Sequence, residues 1–260
     1  TFAEVPAALT DFCRELGVTQ LYANQAIEID ELRRDQAVSA ALACAGLVGT
    51  AQAETTVRLG FAAPLTGPQA HYGEDMRNGL TLALEEANAK GIKLDGDTAK
   101  FVLVSKDDQA DPRTATTVAQ RLVDAGVKGV VGHVTSGAAI PASRIYEQAG
   151  VPSITPSATS PKLTQQKFKT TYRVIANDMQ QGAAMARFAT EALKAKRIAV
   201  IDDRTAYGQG LADALVDNLK RLGVTPVGRE FTNDKATDFS AILTRLKAAK
   251  PDAIFYGGMD

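Results

Sequence analysis

The chain has 260 residues, 45% of them hydrophobic, enough apolar side chain for one large domain or two modest ones. Its 29 basic and 30 acidic residues leave a formal charge of -1, so no global positive field draws it onto nucleic acid or an anionic membrane. With cysteine limited to Cys13 and Cys44, histidine to His71 and His133, and no tryptophan, a disulfide framework and a His/Cys zinc site are both excluded.

From the N-terminus, residues 1–36 carry a net charge of -4 against +3 for the rest, and no lysine occurs before Lys90. No methionine precedes Met76, so the true start of the reading frame is expected elsewhere. Val5, Leu9, Phe12 and Leu16 share a helical face that Gly17 ends, and Val18 to Ala23 reads as a strand. Residues 37–53, AVSAALACAGLVGTAQA, follow Arg33 and Arg34 and close on Ala51-Gln52-Ala53. A basic flank, a short apolar core of roughly 7 to 15 residues and a small-x-small ending form the pattern of a secretory signal. A buried Ala-rich helix or a linker is the alternative. The run is too short and too weakly apolar to span a bilayer. Behind a net-acidic extension a signal is badly placed, and poor export is expected.

After Glu54 the pattern becomes regular. Apolar runs over 56–63, 101–105, 129–134, 198–201 and 253–256 alternate with segments of helical period. Continuous apolar runs predict strands covered on both faces, hence a parallel sheet. Met76, Leu80, Ala83, Leu84 and Ala87 make one helical stripe. Ala115, Val118, Ala119, Leu122 and Val123 make a second, opened by Asp111-Pro112 and closed by Gly126. Leu211, Leu215, Leu219 and Leu222 precede Gly223, and Phe239, Ile242, Leu243 and Leu246 follow Asp238. The architecture predicted is doubly wound α/β.

Ligands of such sheets sit beyond the carboxyl ends of the strands, so the strand-to-helix loops hold the informative residues. No G-x-S-x-G or GxxxxGK[ST] occurs, which removes a nucleophile elbow and a phosphate loop. Gly208-Gln209-Gly210 opens a helix after a strand, but the third small residue is Ala212, so it reads as a glycine-eased helix start rather than a dinucleotide fingerprint. Of Asp107, Asp108 and Asp111, the last is expected to cap a helix and the others to be solvated, against a cation site. His133 near Ser136 lacks a third group to orient it as a base, and is expected to be a packed, hydrogen-bonding histidine. Ser136 with Gly137 begins a helix whose free amides and positive dipole end favour an anion, and Thr159 can donate hydroxyl and amide. Together they suit a small carboxylate. That both are simply helix caps is the competing reading.

The stretches GFAAPLTGPQAHYGEDMRNGLTLALEEANAKGI, GHVTSGAAIPASRIYEQAGVPSITPSATSPKLT, RIAVIDDRTAYGQGLADAL and DFSAILTRLKAAKPDAIFYGG resemble, in order, the periplasmic branched-chain amino acid binding proteins of ABC importers. The resemblance covers residues 54–260. It implies a type I periplasmic binding protein fold, doubly wound parallel sheets in two lobes, with lobe 1 over 54–174 and a partial lobe 2 over 175–260. It implies no enzyme activity and no cofactor, an aliphatic amino acid ligand of the Leu/Ile/Val class, an ABC permease as partner, a monomer, and a periplasmic location. Matched position by position, Ser136 is the serine that bonds the ligand carboxylate through hydroxyl and amide. Ser157 binds the amino acid head through its backbone, and Thr159 stands beside it. Tyr72 is an aromatic wall, and Tyr207 a tyrosine presented by lobe 2 on closure. A family disulfide between the loops at Gln109 to Ala110 and at Thr135 has no cysteines here. Family members continue well beyond Asp260 and supply an acidic residue for the ligand ammonium, so weak binding by this chain, or none detectable, is expected.

Residues 1–36 are similar to part of the antenna-binding domain of DNA photolyases, notably through GVTQLYANQAIEIDELRRD. The flavin-binding helical domain, tryptophans for an electron relay and a basic DNA groove are all absent from the sequence, so photolyase activity is not expected. The simplest account is a chimera joined near residues 37–41. A flavoenzyme fragment or a nucleotide-binding domain is the alternative function, separable by a flavin spectrum.

Overall fold

The computed structural model describes residues 54–94 and 96–259. The photolyase-like stretch and the signal-like segment, residues 1–53, lie outside the described residues. The described chain divides into two units, one of residues 54–157 and 163–174, the other of residues 158–162 and 175–259.

The first unit is a six-stranded sheet in the order β2-β3-β1-β4-β5-β6. Its strands are β1 (Glu54–Ala63), β2 (Lys93–Leu94), β3 (Asp97–Asp107), β4 (Gly129–Gly132), β5 (Ser153–Thr155) and β6 (Thr171–Arg173). All pairings are parallel except that of β2 with β3, so the sheet departs from the all-parallel expectation at one edge. That edge is a two-residue exposed strand reached by a tight turn, a connection open only to antiparallel neighbours.

Central β1 explains the layering. Successive side chains of a strand point to opposite faces. Ala62 faces α2 (Pro112–Asp124) and α3 (Ser136–Ala149), joining a core of Ala115, Val118, Ala119, Leu122, Val130, Ala142 and Tyr146. Phe61 and Ala63 face the other way, with Val134, against Tyr72, Met76 and Leu80 of α1 (Ala70–Ala89). Both faces are covered over residues 60–63, where the apolar run is unbroken, while Thr55, Thr56 and Arg58 of the amino half are exposed. Leu122, fully buried, contributes about 1.5–3 kcal/mol by its removal from water. The Ala115-Val118-Ala119-Leu122 stripe is buried as its spacing predicts, and Asp111 caps α2 by accepting from the amides of Arg113 and Thr114. The α1 stripe is thinner than expected, since Leu84 is buried but Ala83 is exposed. Short α4 (Pro161–Gln165) lies where the chain changes units.

In the second unit β7 (Ile198–Asp202) runs between β8 (Gly228–Phe231) and β9 (Ala253–Gly257), parallel to both. Ile198 and Val200 pack with Ala186, Leu215 and Leu219, from α5 (Asp178–Arg187) and α6 (Ala206–Arg221). Ala199 and Ile201 face Ile242, Leu243 and Leu246 of α7 (Ser240–Ala248). Helix α5 continues into a single π-helical turn, Phe188–Ala192. The fold is α/β throughout, and the helix-bearing connections within a sheet join parallel strands except that through α1, which leads from β1 into the antiparallel β2.

Candidate ligand site at the carboxyl edge of the six-stranded sheet

Strands β4 and β5 are adjacent and parallel, pairing Val130 with Ser153 and Val131 with Ile154. The loops that follow them therefore emerge side by side at the carboxyl edge of the sheet. Ser136 stands at the end of the first loop and Ser157 in the second. Tyr72, near the start of α1, packs on the cluster that includes Val134, two residues before Ser136. The first unit thus brings Tyr72, Ser136 and Ser157 to one edge.

The competing reading of Ser136 as a cap is settled by the geometry. Thr135 is the cap of α3, its side chain accepting from the amide of Ala138 at 3.2 Å, and Ser136 is the first helical residue. Helix capping therefore makes no demand on the Ser136 hydroxyl. The first-turn amides of a helix have no intrahelical acceptors, and the dipole makes that end positive. Ser136, 1% exposed, supplies a hydroxyl beside those amides. An anionic oxygen is the group that such a cradle suits.

Both loops are held from beneath by buried hydrogen bonds. Thr155 at the end of β5 donates its hydroxyl to the carbonyl of His133, 2.7 Å, and accepts from the amide of Ser157, 3.3 Å. His133, 1% exposed, sits between Asp108, Nδ1 to Oδ2 2.6 Å, and the Tyr146 hydroxyl, Nε2 to O 3.0 Å. Burial, with the charge of Asp108, raises the Tyr146 phenol, so its hydroxyl keeps a proton that it can donate. With Tyr146 donating to Nε2, the imidazole carries its proton on Nδ1 and directs it at Asp108; this tautomer is assigned from the partners.

His133 is thus a packed, hydrogen-bonded histidine, as expected, although the orienting partner not legible in sequence does exist. Tyr146 occupies the nitrogen that a nucleophilic serine would need. The expectation that Asp107 and Asp108 are solvated is corrected. Asp108 is fully buried because His133 and the amide of Ala110 hold its oxygens. Asp107 accepts from the amides of Leu65 and Gln109 and the hydroxyl of Thr66, tying the end of β3 to the loop after β1. Partial burial pushes its carboxyl up, but those donors outweigh it and hold it below the ordinary value. Among the described residues no group of three or more His, Cys, Asp or Glu is placed to hold a metal ion.

Thr159 and Tyr207 belong to the second unit. The Thr159 carbonyl accepts from the amide of Asp178 at 3.0 Å, while its buried hydroxyl oxygen has no hydrogen-bond partner. Such a hydroxyl carries a desolvation penalty of about 1–3 kcal/mol until something meets it. Tyr207 is the second residue of α6 and largely buried, 8% exposed. Thr205 caps that helix by accepting from the amide of Gly208. A side chain on Gly208 would overlap the Asp203 carboxylate and the carbonyl of Gly257, so this glycine serves close packing against β9. A carboxylate at that position repels a pyrophosphate, which agrees with reading Gly208-Gln209-Gly210 as a helix start.

A sequence model described as periplasmic binding protein matches residues 56–259. The chain belongs to the periplasmic binding protein family. A Leu/Ile/Val-binding protein of Rhizobium johnstonii is 39% identical over 206 residues, 79% of this chain and 55% of that protein. Among solved structures, a leucine binding protein of Thermotoga maritima superimposes with TM-score 0.71 at 33% identity, covering 77% of this chain and 55% of its own. The branched-chain amino acid transporter substrate binding protein of Streptococcus pneumoniae, in complex with isoleucine, gives 0.70 at 33%, covering 78% and 57%. This periplasmic binding protein has the type I fold, and it spans little more than half the length of the relatives it matches. The match begins at residue 56, so the photolyase-like stretch over 1–36 stands outside it. No helix among the described residues is long and apolar enough to cross a membrane.

Proposed function

We propose that the protein binds an aliphatic amino acid of the Leu/Ile/Val class, as a monomer in the periplasm, and presents it to an ABC permease without making or breaking bonds. The α-carboxylate is held at the carboxyl edge of the six-stranded sheet by the Ser136 hydroxyl and the first-turn amides of α3. Ser157 contributes backbone groups to the amino acid head, and Tyr72 an apolar wall with a polar tip. Thr159 and Tyr207 enter the proposal through their match to the family, and the unpartnered Thr159 hydroxyl agrees with a ligand contact. One observation carries the reading: Ser136 is a buried first-turn residue at the positive amino end of α3, in the loop after β4 that emerges beside the loop of Ser157. The solved relatives named above, one a leucine binding protein and one in complex with isoleucine, support the ligand class.

The likeness of residues 1–36 to photolyases forms no part of this activity, and neither a flavin nor nucleic acid is a proposed partner. Amide resonances of the 15N-labelled chain, followed during titration with L-leucine and with L-leucinamide, test the proposal. The signals of Ser136, Gly137 and Ser157 are expected to move saturably with leucine, at a dissociation constant of up to about 1 mM, equivalent to about -4 kcal/mol. Leucinamide, lacking the anion, is expected to leave them unmoved. Equal response to both compounds would refute the carboxylate grip, and a yellow protein with a flavin spectrum would favour a flavoenzyme fragment instead.

A further inference from the structure

We propose that Thr155, His133, Asp108 and Tyr146 are positioning residues that hold the Ser136 loop and the Ser157 loop in fixed register at the ligand edge. The inference rests on the ligand-site reading above. It arises from a continuous path of buried hydrogen bonds that runs from the end of β3, through the β4 loop, to α3 and to the β5 loop.

The path begins at Asp108. One carboxylate oxygen takes the amide of Ala110, which fixes the turn after β3; the other takes His133 Nδ1–H at 2.6 Å. The ring's other nitrogen accepts from Tyr146, ten residues into α3, so the imidazole is fixed at both ends between the β3 loop and the body of the helix that Ser136 begins. The His133 carbonyl accepts from the Thr155 hydroxyl, and the same oxygen of Thr155 accepts from the Ser157 amide. A single hydroxyl therefore spans the two ligand loops, donating to one and accepting from the other. Asp108, His133 and Thr155 are each 2% exposed or less, and Tyr146 is 1% exposed. Water has little access to substitute for a lost partner, so each bond is replaced by an unsatisfied buried group when broken. A ligand gripped by hydroxyl and amide donors needs those donors held to fractions of an ångström, and the donors themselves sit in loops. The buried path supplies that rigidity without touching the ligand.

The residue types fit the role. Threonine is the side chain whose hydroxyl both donates and accepts at one atom while its methyl group packs in the sheet. Histidine has two opposed ring nitrogens and so bridges elements that no single amide side chain could span. A carboxylate that only accepts, facing Nδ1 at 2.6 Å, calls for the ring proton on that side and leaves Nε2 to accept from Tyr146.

The experiment compares Thr155→Val, Thr155→Ser and His133→Asn with the parent chain in three measurements: thermal midpoint, the amide positions of Ser136 and Ser157 without ligand, and the leucine titration. Valine keeps the branched shape and removes the hydroxyl; serine restores it; asparagine keeps a donor towards Asp108 and loses the bond to Tyr146. Thr155→Val is expected to displace both amide signals in the unliganded chain and to weaken leucine about tenfold, the effect of one hydrogen bond. Thr155→Ser is expected to return both to the parent values even where its midpoint stays low. His133→Asn is expected to move the Ser136 signal more than that of Ser157. If Thr155→Val lowers the midpoint while both amide positions and the leucine affinity stay at parental values, the residue is merely structural and the proposal is overturned. If the parent chain binds no leucine, the proposed function fails, and the unliganded amide positions still decide whether Thr155 couples the loops. Should His133→Asn fail to fold, the valine and serine pair carries the decision alone.

Discussion

Replacing Thr135 and Ser136 by alanine, one at a time, separates folding from recognition at neighbouring positions. Thr135 caps α3 through its side-chain oxygen and the Ala138 amide. Its loss removes the partner of an orphan first-turn donor and costs about 1 kcal/mol. In a domain of this size that lowers the thermal midpoint by about 2–4 °C. Ser136 is the first helical residue, one position inside the cap. Ser136→Ala is therefore expected to lower the midpoint less than Thr135→Ala does. In the ligand-site reading, however, it deletes a hydrogen bond to a carboxylate, about 1.5–3 kcal/mol, and weakens leucine roughly 10- to 150-fold. Thr135→Ala reverses the order, with a clear drop in midpoint and a smaller change in affinity. Scanning calorimetry measures the first quantity and the amide titration the second. If Ser136→Ala lowers the midpoint as much as Thr135→Ala and leaves leucine binding unchanged, the serine is a structural residue and the argument from the cap collapses.

Leu122→Ala, at a fully buried position between α2 and the sheet, is expected to destabilise the protein by about 2–5 kcal/mol in denaturant unfolding. Gly132 has φ 127°, a conformation that suits glycine, and a side chain there would overlap the carbonyl of Ala62. Gly132→Ala should accordingly cost at least about 1–3 kcal/mol by the same assay, whereas a tolerated substitution would show that the β1–β4 spacing is soft. Burial raises the Asp203 carboxyl above the ordinary carboxylate value, although Thr205 and the Met259 amide pull the other way. The folded state then keeps this proton to higher pH than the unfolded chain does. Its contribution is present below the ordinary value and is lost as pH rises through the raised one. Asp203→Asn is expected to gain stability relative to the parent across that interval, read from unfolding midpoints at successive pH values; a parallel pair of curves would contradict the burial argument.

The central strands were legible because burial on two faces leaves an apolar run, over 198–201 in β7 and over the carboxyl half of β1 beyond the exposed Arg58. Expected at 56–63 and 198–201, β1 and β7 lie at 54–63 and 198–202. Helices α2 and α6 were equally plain, since Leu122 and Leu215 recur at helical spacing on a face that is buried. Strand β2 was not legible: two exposed residues carry no period, and their pairing is made by the turn rather than by side chains. Strand β8, Gly-Arg-Glu-Phe at a sheet edge and only partly buried, lacks an apolar run for the same reason.

The site shows a different limit. Ser136 and Thr159 stood out as candidates because a chemistry that needs hydroxyls and free amides places them in loops at strand ends, and loop positions follow from the strand pattern; Ser157 was named only through the family resemblance. Asp111 was told apart as the helix cap, but Asp108 could not be told apart from its neighbour Asp107. What distinguishes it is a partner 25 residues away, His133, whose ring turns inward only because Tyr146 waits on the far side. Tyr146 did leave a trace, continuing the Ala139-Ala142 spacing along the buried face of α3. An aromatic residue on such a face is ordinarily read as core. Buried polar networks escape periodicity because hydrophobic spacing records which face of an element is covered, while a hydrogen bond depends on which atoms of two covered faces meet. In this chain Thr155 is one such meeting, and its single hydroxyl joins the two loops that the pairing of β4 with β5 places side by side.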